Sequence, residues 1–384
     1  MVNPSSPISL NLPGAGSHRQ AGASAYAALD LGTNNCRLLI GTPAGGSFRV
    51  LDSFSRIVRL GEGLQTTGRL STRAMERTLS ALRLCVARMQ RRTLSGVRAV
   101  ATEACRHAVN GRDFLGRVKA ETGLDFDVIS TREEIELALE SCVPLLRHTD
   151  ARRILLFDIG GGSTELAWVR IDGHCPVLVG TISLPVGVVR LAEQYGDARF
   201  SAGAFEEMVQ DVRHRLETFE DIHRIHPEIL HGGVALLGTS GTATTIASIC
   251  FDLNRYRRCM VDGAVMSLTQ ADQAVQILRA LGRAEPQGEG LRKHPCIGPQ
   301  RADFVLPGCA IFQAIRSLWP TTSVIVADRG LREGMLLRMM HEAGHGGRRG
   351  RRRGPLASPS SRSGLHGSGL DGPPSGIPTR TKPV

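Results

Sequence analysis

The feature that most constrains this chain is a short pattern that occurs twice. Each copy has an apolar strand, an acid, a glycine-containing turn and a second apolar run. The copies lie at residues 27–35 (AALDLGTNN) and 155–166 (LLFDIGGGSTEL), with Asp30 and Asp158 in the same place. Turns of this kind expose backbone N–H groups that bind phosphate oxygens, and an acid beside them can hold a divalent metal. Two facing loops of this kind would hold a chain of phosphates between them.

Length and composition are those of a soluble protein with two domains. The chain has 384 residues and 41% hydrophobic residues, enough for two cores. No apolar run reaches the length of a membrane span, so no membrane partner is expected. The nine cysteines are scattered without a Cys-x-x-Cys pair, which indicates a reducing, cytoplasmic location.

The spacing of the two copies is that of a duplicated domain rather than a solenoid repeat. Strand and helix signals alternate between the copies, which predicts an α/β fold. We predict a disordered leader (1–24), an N-terminal domain (25–137), a C-terminal domain (138–344) and a disordered basic tail (345–384). Predicted strands are 26–31, 36–42, 97–101, 126–129, 154–159, 165–170, 177–183, 234–238 and 323–327. Predicted helices are 71–91, 111–122, 132–147, 187–195, 201–222, 241–251, 269–281, 302–318 and 329–342.

Local structure alone explains some of the candidate site residues. Asn34 and Asn35 suit a hairpin turn as well as a phosphate loop, because Asn accepts left-handed geometry. Ser240 follows a strand and precedes a helix, so it fits either an N-cap or an anion site. Glu133 and Glu134 both fit a capping box, with Ser130 and Thr131 as the capping residues. The residues alone favour capping over catalysis for this pair.

The motifs together resemble the exopolyphosphatase and guanosine pentaphosphate phosphohydrolase family, within the actin, sugar kinase and Hsp70 superfamily. The chain is similar to the short two-domain form of that family. The matching stretches run in family order from about residue 25 to 340: DLGTNN (30–35), VATEACR (100–106), EE (133–134), DIGGGSTE (158–165), GTSGT (238–242) and DRGLREG (328–334).

This resemblance implies two similar ribonuclease H-like (actin-like) domains with an active-site cleft between them. It implies that Glu134 is the catalytic base and that Arg106, Asp158 and Glu165 are also catalytic. It places Mg²⁺, or Mn²⁺, on Asp30, Asp158 and Glu165. The phosphate-binding residues it implies are Gly32, Thr33, Asn34, Asn35, Gly160, Gly161, Gly162, Ser163, Thr164, Gly238, Ser240 and Gly241.

The implied activity is hydrolysis of terminal phosphoanhydride bonds of inorganic polyphosphate by a water that Glu134 activates. Guanosine pentaphosphate is the alternative substrate. A small-molecule kinase or a non-catalytic nucleotide-dependent binding protein of the same superfamily remain as rivals. Relatives are commonly homodimers. The arginine run at 348–353 suggests that the tail binds polyanions, including RNA, although a solvated tail is as simple an explanation.

Two further patterns carry less weight. Residues 341–345 (HEAGH) match a zinc protease motif. We reject a zinc site there, because glycines at 344, 346 and 347 are expected to end the helix that the motif needs. Arg301 and Asp303 are interpreted as the start of a helix that packs the second domain.

Overall fold

The structure is a computed structural model. It describes residues 24–147, 149–173, 175–284 and 286–350, with side chains described as far as residue 344. Residues 1–23 of the predicted leader and 351–384 of the predicted tail lie outside the described residues. The described residues up to Ala343 form one compact unit.

Strands and helices alternate along the described chain. The strands are β1 (Ala25–Leu31), β2 (Asn35–Ala44), β3 (Ser47–Ile57), β4 (Leu94–Ala101), β5 (Asp127–Val128), β6 (Arg153–Ile159), β7 (Thr164–Asp172), β8 (Cys175–Leu184), β9 (Val234–Thr239), β10 (Val265–Ser267) and β11 (Ser323–Val326). The helices are α1 (Leu64–Thr67), α2 (Thr72–Met89), α3 (Glu103–His107), α4 (Gly111–Thr122), α5 (Thr131–Leu146), α6 (Val188–Tyr195), α7 (Ala202–His223), α8 (Ile225–Leu230), α9 (Ser240–Cys250), α10 (Arg258–Val261), α11 (Leu268–Arg283), α12 (Glu289–Lys293), α13 (Ala302–Leu318) and α14 (Leu331–Gly350). A short 3₁₀ helix spans Gly196–Phe200.

Two sheets with matching topology organise the molecule. The first has the strand order β3-β2-β1-β4-β5, and the second has the order β10-β11-β9-β6-β7-β8. In each, an antiparallel three-stranded meander is followed by parallel strands on the far side of its first strand. This shared arrangement confirms the prediction of an α/β fold built from two ribonuclease H-like lobes with a cleft between them.

The first strand of each sheet is buried on both faces, as expected for a central strand between helical layers. In β1, Leu29 and Leu31 belong to one hydrophobic cluster, whereas Ala28 belongs to the cluster on the opposite face. In β6, Phe157 faces one cluster and Leu156 the other. A fully buried side chain the size of leucine or phenylalanine stabilises the fold by about 1.5–3 kcal/mol. The strand that ends in each candidate acid is therefore rigidly held.

Helices α5 and α14 connect the two lobes. Leu137 of α5 packs in the core of the first sheet, whereas Leu139 packs in that of the second. α14 returns to the first sheet, where Leu336 is fully buried. The two helices meet at Gly334, where a Cβ would lie 2.7 Å from the carbonyl carbon of Leu137. The predicted boundary at residue 137 stays a prediction, and the packing of α14 is shared between the lobes.

The other structural predictions have mixed outcomes. All nine predicted strands and all nine predicted helices are present, with small shifts at their ends except for the last helix, which continues well beyond its predicted end. The sequence analysis missed β3 and β10 and several short helices. Its argument that glycines end the last helix at residue 344 is wrong, because α14 continues to Gly350. The predicted disordered tail therefore begins too early. No described helix is long and apolar enough to cross a membrane.

Candidate active site

A cleft of about 1410 Å³ lies between the two lobes, at the ends of β1 and β6. Three turns contribute to its wall. We call them the first loop (residues 32–35, from the end of β1 to the first residue of β2), the second loop (160–163, between β6 and β7) and the third loop (238–242, the end of β9 and the start of α9). All three were predicted phosphate-binding segments, and the fold brings them to one cavity.

The first loop is held by the segment that follows β3. The N–H groups of Val58 and Arg59 donate to the Asn34 carbonyl at 2.8 and 3.0 Å, and Gly61 N–H donates to Thr33 O at 2.9 Å. Among the described residues, nothing accepts the N–H groups of Thr33 and Asn34. The Asn34 side-chain oxygen is buried without a partner. The loop's carbonyl oxygens are thus engaged, while its donors remain available for an anion.

The second loop is built in the same way. Its carbonyl oxygens accept from the start of α6, with Val188 N–H bonded to Gly160 O at 3.0 Å and Val189 N–H to Gly161 O at 2.8 Å. No described residue accepts the N–H groups of Gly161, Gly162 and Ser163. Three consecutive free donors form an anion-binding nest. The geometry therefore agrees with the predicted phosphate-binding role, which stays a prediction.

The third loop carries a strained residue. Ser240 has a φ of 83°, which is unfavourable for a residue with a Cβ. Its hydroxyl is buried without a partner and lies in the cleft wall. It does not cap α9 with its side chain, because its position is the first of the helix and no side-chain cap is present. The N-cap interpretation of Ser240 is therefore wrong, and such strain is typical of functional sites, so the predicted phosphate-binding role of Ser240 stays a prediction.

Four carboxyl groups with raised pKa values gather at the loops. Burial raises the pKa of Asp30, which Arg37 and Arg332 partly lower again. Burial also raises the pKa of Asp158, and the nearby Asp30 adds to this effect. The pKa of Glu165 rises to about 7, because it is buried and Asp158 lies close. Too little positive charge therefore lies near these carboxyl groups to offset their negative charge.

Glu134 is the fourth carboxyl group. Burial raises its pKa well above the ordinary 4.5, and Glu165 and Asp158 raise it further. Its Oε2 is buried without a hydrogen bond and lies 3.6 Å from Arg106 Nη1. By contrast, the neighbouring Glu133 side chain forms ion pairs with arginines of β4 and α14. Only Ser130 caps α5, by accepting from Glu133 N–H at 3.2 Å. Capping therefore uses no carboxylate of this pair, and Glu134 remains available in the cleft.

Arg106 is placed behind Glu134 rather than in the cleft wall. Its Nη1 donates to Ile129 O at 2.7 Å, and its Nη2 is buried without a partner. Two other predicted residues also lie outside the wall. Thr164 donates its hydroxyl to a backbone carbonyl at 2.6 Å. Gly238 is a glycine for packing reasons, since a Cβ there would lie 2.5 Å from the ring of a neighbouring phenylalanine. All other predicted site residues line the cleft.

The sequence analysis missed most of the positive charge of the site. Nine arginines line the cleft: Arg37, Arg56, Arg59, Arg73, Arg77, Arg258, Arg301, Arg329 and Arg332. Arg37 forms no ion pair with any described residue. Arg301 is the N-cap residue of α13, as the interpretation of a packing helix predicted, and its side chain also donates to Gly241 O at 2.8 Å and Thr245 Oγ1 at 2.7 Å. Burial lowers the pKa values of Arg301 and Arg332, and Arg37 lowers both further. The three guanidinium groups therefore lie close enough to repel one another.

The donor set fits a hydrated Mg²⁺ ion. Mg²⁺ commonly takes one or two carboxylates and completes its shell with water and substrate phosphates. Asp30 raises the pKa of Asp158, and Asp158 raises that of Glu165, which shows a deficit of positive charge. Within the described ranges, no group of three or more His, Cys, Asp or Glu side chains is arranged to hold a metal ion by itself. That arrangement suits an ion held jointly with substrate.

The zinc motif gains no support from its surroundings. His341 and Glu342 do not line the cleft. The side chain of His345 lies outside the described part of the chain. The absence of a zinc site thus stays a prediction, although its original argument from helix termination fails.

The fold and the cleft together define the class of protein: an α/β phosphohydrolase with two ribonuclease H-like lobes. Residues 39–343 match the Ppx/GppA phosphatase family. The chain therefore belongs to the Ppx/GppA phosphatase family, and it is a hydrolase that acts on phosphoanhydride bonds.

Solved structures of similar proteins agree with this assignment. A Ppx/GppA family member from Aquifex aeolicus is 27% identical, with a TM-score of 0.68 over 84% of this chain and 100% of that one. An exopolyphosphatase-like protein is 25% identical, with a TM-score of 0.73 over 83% of this chain and 98% of that one. An exopolyphosphatase from Cytophaga hutchinsonii is 22% identical with a TM-score of 0.69, over 83% of this chain and 98% of that one, and it bears on the fold alone.

Proposed function

We propose that this phosphatase is an exopolyphosphatase, which removes terminal phosphates from inorganic polyphosphate. The observation that carries the proposal is the cleft of about 1410 Å³ with nine arginines in its wall. Such a wall suits an extended polyanion, because guanidinium groups bind phosphate oxygens through paired donors. The similarity to an exopolyphosphatase-like protein at 25% identity supports the same substrate.

Charge is divided along the cleft in a way that gives the chain a direction. Two acids in the cleft wall form ion pairs with arginines. Glu62 lies 2.6 Å from Arg77, and Glu333 of α14 lies 3.5 Å from Arg258. Asp30, Asp158 and Glu165 have no ion-pair partner among the described residues. The terminal phosphate would lie at these carboxylates and loops, near Arg37 and Arg332, and the inner phosphates would lie along the other arginines of the wall. The reacting end is thus distinguished from the rest of the chain.

The loops orient the terminal phosphate. Free N–H groups of Gly161, Gly162 and Ser163 donate to its oxygens from the second lobe, and those of Thr33 and Asn34 donate from the first. Their positions are fixed before substrate binds, because the loops' carbonyl oxygens are bonded elsewhere. Preorganised donors stabilise the charge of a phosphoryl transition state without a cost of reorganisation.

Glu134 accepts the proton of the attacking water in this proposal. An ordinary glutamate is a weak base at neutral pH, and a raised pKa makes it a better one. Burial and the neighbouring acids raise the pKa of Glu134, while the positive charge of Arg106 lowers it in part. Its unpartnered Oε2 is free to receive the proton.

Asp30, Asp158 and Glu165 would hold Mg²⁺ or Mn²⁺ through their carboxylate oxygens. When bound, the cation supplies positive charge that offsets the phosphate oxygens and the crowded acids. We expect activity to require the added cation.

The proposal is tested by incubating the purified protein with polyphosphate, guanosine pentaphosphate and ATP in parallel, with and without Mg²⁺. We expect release of orthophosphate from polyphosphate at the highest kcat/KM. A preference for guanosine pentaphosphate would change the proposed substrate and leave the proposed active site unchanged. Phosphate transfer from ATP to a small-molecule acceptor would indicate a kinase. No turnover of any of the three would end the proposal.

The role of Glu134 has its own test. Glu134→Gln keeps the shape and removes the base, so kcat should fall about 10²–10⁴-fold with little change in KM. Glu133→Gln is the matched control. It alters ion pairs with Arg98 and Arg338 and leaves the cleft carboxylates intact, so its loss should be much smaller. Equal losses in both variants would show that Glu134 has no special role.

A further inference from the structure

The two phosphate-binding loops meet at a buried glutamate to which the proposed mechanism gives no role. Glu103 begins α3 in the first lobe and is only 5% exposed. Its Oε2 accepts a hydrogen bond from the Thr33 hydroxyl of the first loop at 2.7 Å. The same carboxyl group lies against Gly162 of the second loop. Glu103 therefore contacts both loops, although they belong to different lobes.

Gly162 leaves the space that this carboxyl group fills. A Cβ at position 162 would lie 2.6 Å from the Glu103 carboxyl carbon and 2.9 Å from Thr33 Oγ1. Real atoms do not approach a Cβ so closely, so a side chain at position 162 would displace the buried Glu103 carboxyl group, with its hydrogen bond to Thr33, or push the loops apart. The neighbouring Gly161 does not meet Glu103: a Cβ there would lie 3.2 Å from Asn34 Cβ and 3.3 Å from Thr33 Cβ. The glycine at 162 is thus explained by contact between the lobes and not only by phosphate binding.

The hydrogen bond also determines what Thr33 can offer to a ligand. A hydroxyl has one proton, and Thr33 donates that proton to Glu103. Its remaining lone pairs can only accept. The Thr33 side chain therefore suits a bound water or a hydrated cation, whereas its backbone N–H remains a donor for phosphate.

We infer that Glu103 is a positioning residue that sets the distance between the two phosphate-binding loops through its contacts with Thr33 and Gly162. The inference rests on the proposed phosphohydrolase site. Glu134 stands on the first-lobe side of the cleft, and the second loop holds the phosphate. Their separation must be correct for in-line attack, and a misplacement of about 1 Å can cost about 10²-fold in rate.

A double-mutant cycle tests this coupling. Gly162→Ala should lower kcat about 10²-fold, because the new methyl group collides with the Glu103 carboxyl group. Adding Glu103→Ala removes the collision and should restore kcat at least about tenfold above the Gly162→Ala value. Glu103→Ala alone should lower kcat, and Glu103→Gln should recover most of it, because the amide oxygen still accepts from Thr33.

Gly161→Ala is the matched control, since it meets Asn34 and not Glu103. Its defect should be the same whether Glu103 is kept or is replaced through Glu103→Ala. Additive effects for the Gly162 and Glu103 changes, or an equal rescue of Gly161→Ala, would overturn the inference.

The same cycle is repeated on the free energy of unfolding in denaturant, without substrate. Coupling of Gly162 and Glu103 in unfolding, together with failure to hydrolyse polyphosphate, would keep the contact and reject the proposed substrate. Hydrolysis of polyphosphate without coupling in either measurement would keep the substrate and reject the role of Glu103.

Discussion

The β1–β2 and β6–β7 hairpins share one backbone design and differ in the residue that faces the acid. Across the first hairpin, Asp30 pairs in register with Arg37. Across the second, Asp158 pairs in register with Glu165. Asp30 therefore has a cation opposite it on the adjacent strand, whereas Asp158 has a second acid there, although Arg37 lowers the pKa of Asp158 as well.

This difference indicates that the two copies of the duplicated hairpin have different roles in the site. The first hairpin, with the arginine, is suited to binding substrate phosphates. The second hairpin has an acid in that place and no cation of its own beside its loop, and this suits it to holding a metal cation next to the phosphate that its free N–H groups would bind. The pKa of Glu165, raised to about 7, reflects this local deficit. The predictions below test that division.

Substitution of the two facing residues should give the largest effect. Glu165→Gln should lower kcat about 10²-fold, with a small change in KM, because it removes a proposed cation ligand. Arg37→Gln should raise KM about tenfold to 10²-fold with less change in kcat, since a charge-assisted hydrogen bond contributes about 1.5–3 kcal/mol. Steady-state kinetics with polyphosphate measures both. Similar changes of kcat and KM in the two variants would break the comparison.

The pH profile should separate the hairpins next. A base acts only when deprotonated, and both Glu134 and Glu165 have raised pKa values, so kcat/KM should rise with pH towards about 7. Glu165→Gln removes a group that raises the pKa of Glu134, so its rising limb should move to lower pH. Arg37→Gln should not move the limb to lower pH, because Arg37 lowers the pKa values of both Asp30 and Asp158. Profiles that coincide in all three proteins would contradict this.

Stability should depend on pH and on the cation together. The four acids have raised pKa values in the folded state, so their protonation favours folding. Their contribution is present below the unfolded pKa of about 4 and is lost as pH rises through the folded pKa of each acid, which for Glu165 is about 7. For Glu165 alone the loss is about 3 kcal/mol.

Added Mg²⁺ should therefore stabilise the protein above neutral pH more than in acid. At about ten times its Kd, the expected gain in the free energy of unfolding is about 1.4 kcal/mol. Denaturant titrations of the native chain and of Asp158→Asn measure this gain. A gain that persists unchanged in the variant would place the cation elsewhere.

The sequence was sufficient to predict site residues where an ionisable side chain lies directly beside a glycine turn. Asp30, Asp158 and the glycine loops were visible because an acid after an apolar strand and before a glycine turn is an unusual combination. Arg37 escaped notice although it stands at the place in the first copy that Glu165 holds in the second. Aligning the two copies through the acids would have revealed it.

Other features depend on tertiary contacts that a single sequence does not display. β3 was missed because it is an edge strand whose residues are mostly exposed or half-buried, so its apolar pattern is weak. Glu103 was quoted within a motif and given no role, because its partner Gly162 lies on the other lobe. The predicted end of the last helix was wrong, because glycine disfavours a helix by only about 1 kcal/mol and does not forbid it.

The strained backbone at Ser240 has an evolutionary consequence. A left-handed residue with a Cβ costs on the order of 1–3 kcal/mol, and glycine would relieve much of that cost. Ser240→Gly should therefore raise the free energy of unfolding by about 1 kcal/mol while it removes the hydroxyl from the cleft, which chemical denaturation and kinetics can measure. Natural variation from serine to glycine at this position would therefore increase the stability of the protein. If Ser240→Gly also lowers kcat/KM, the serine is an example of stability that is given up for function.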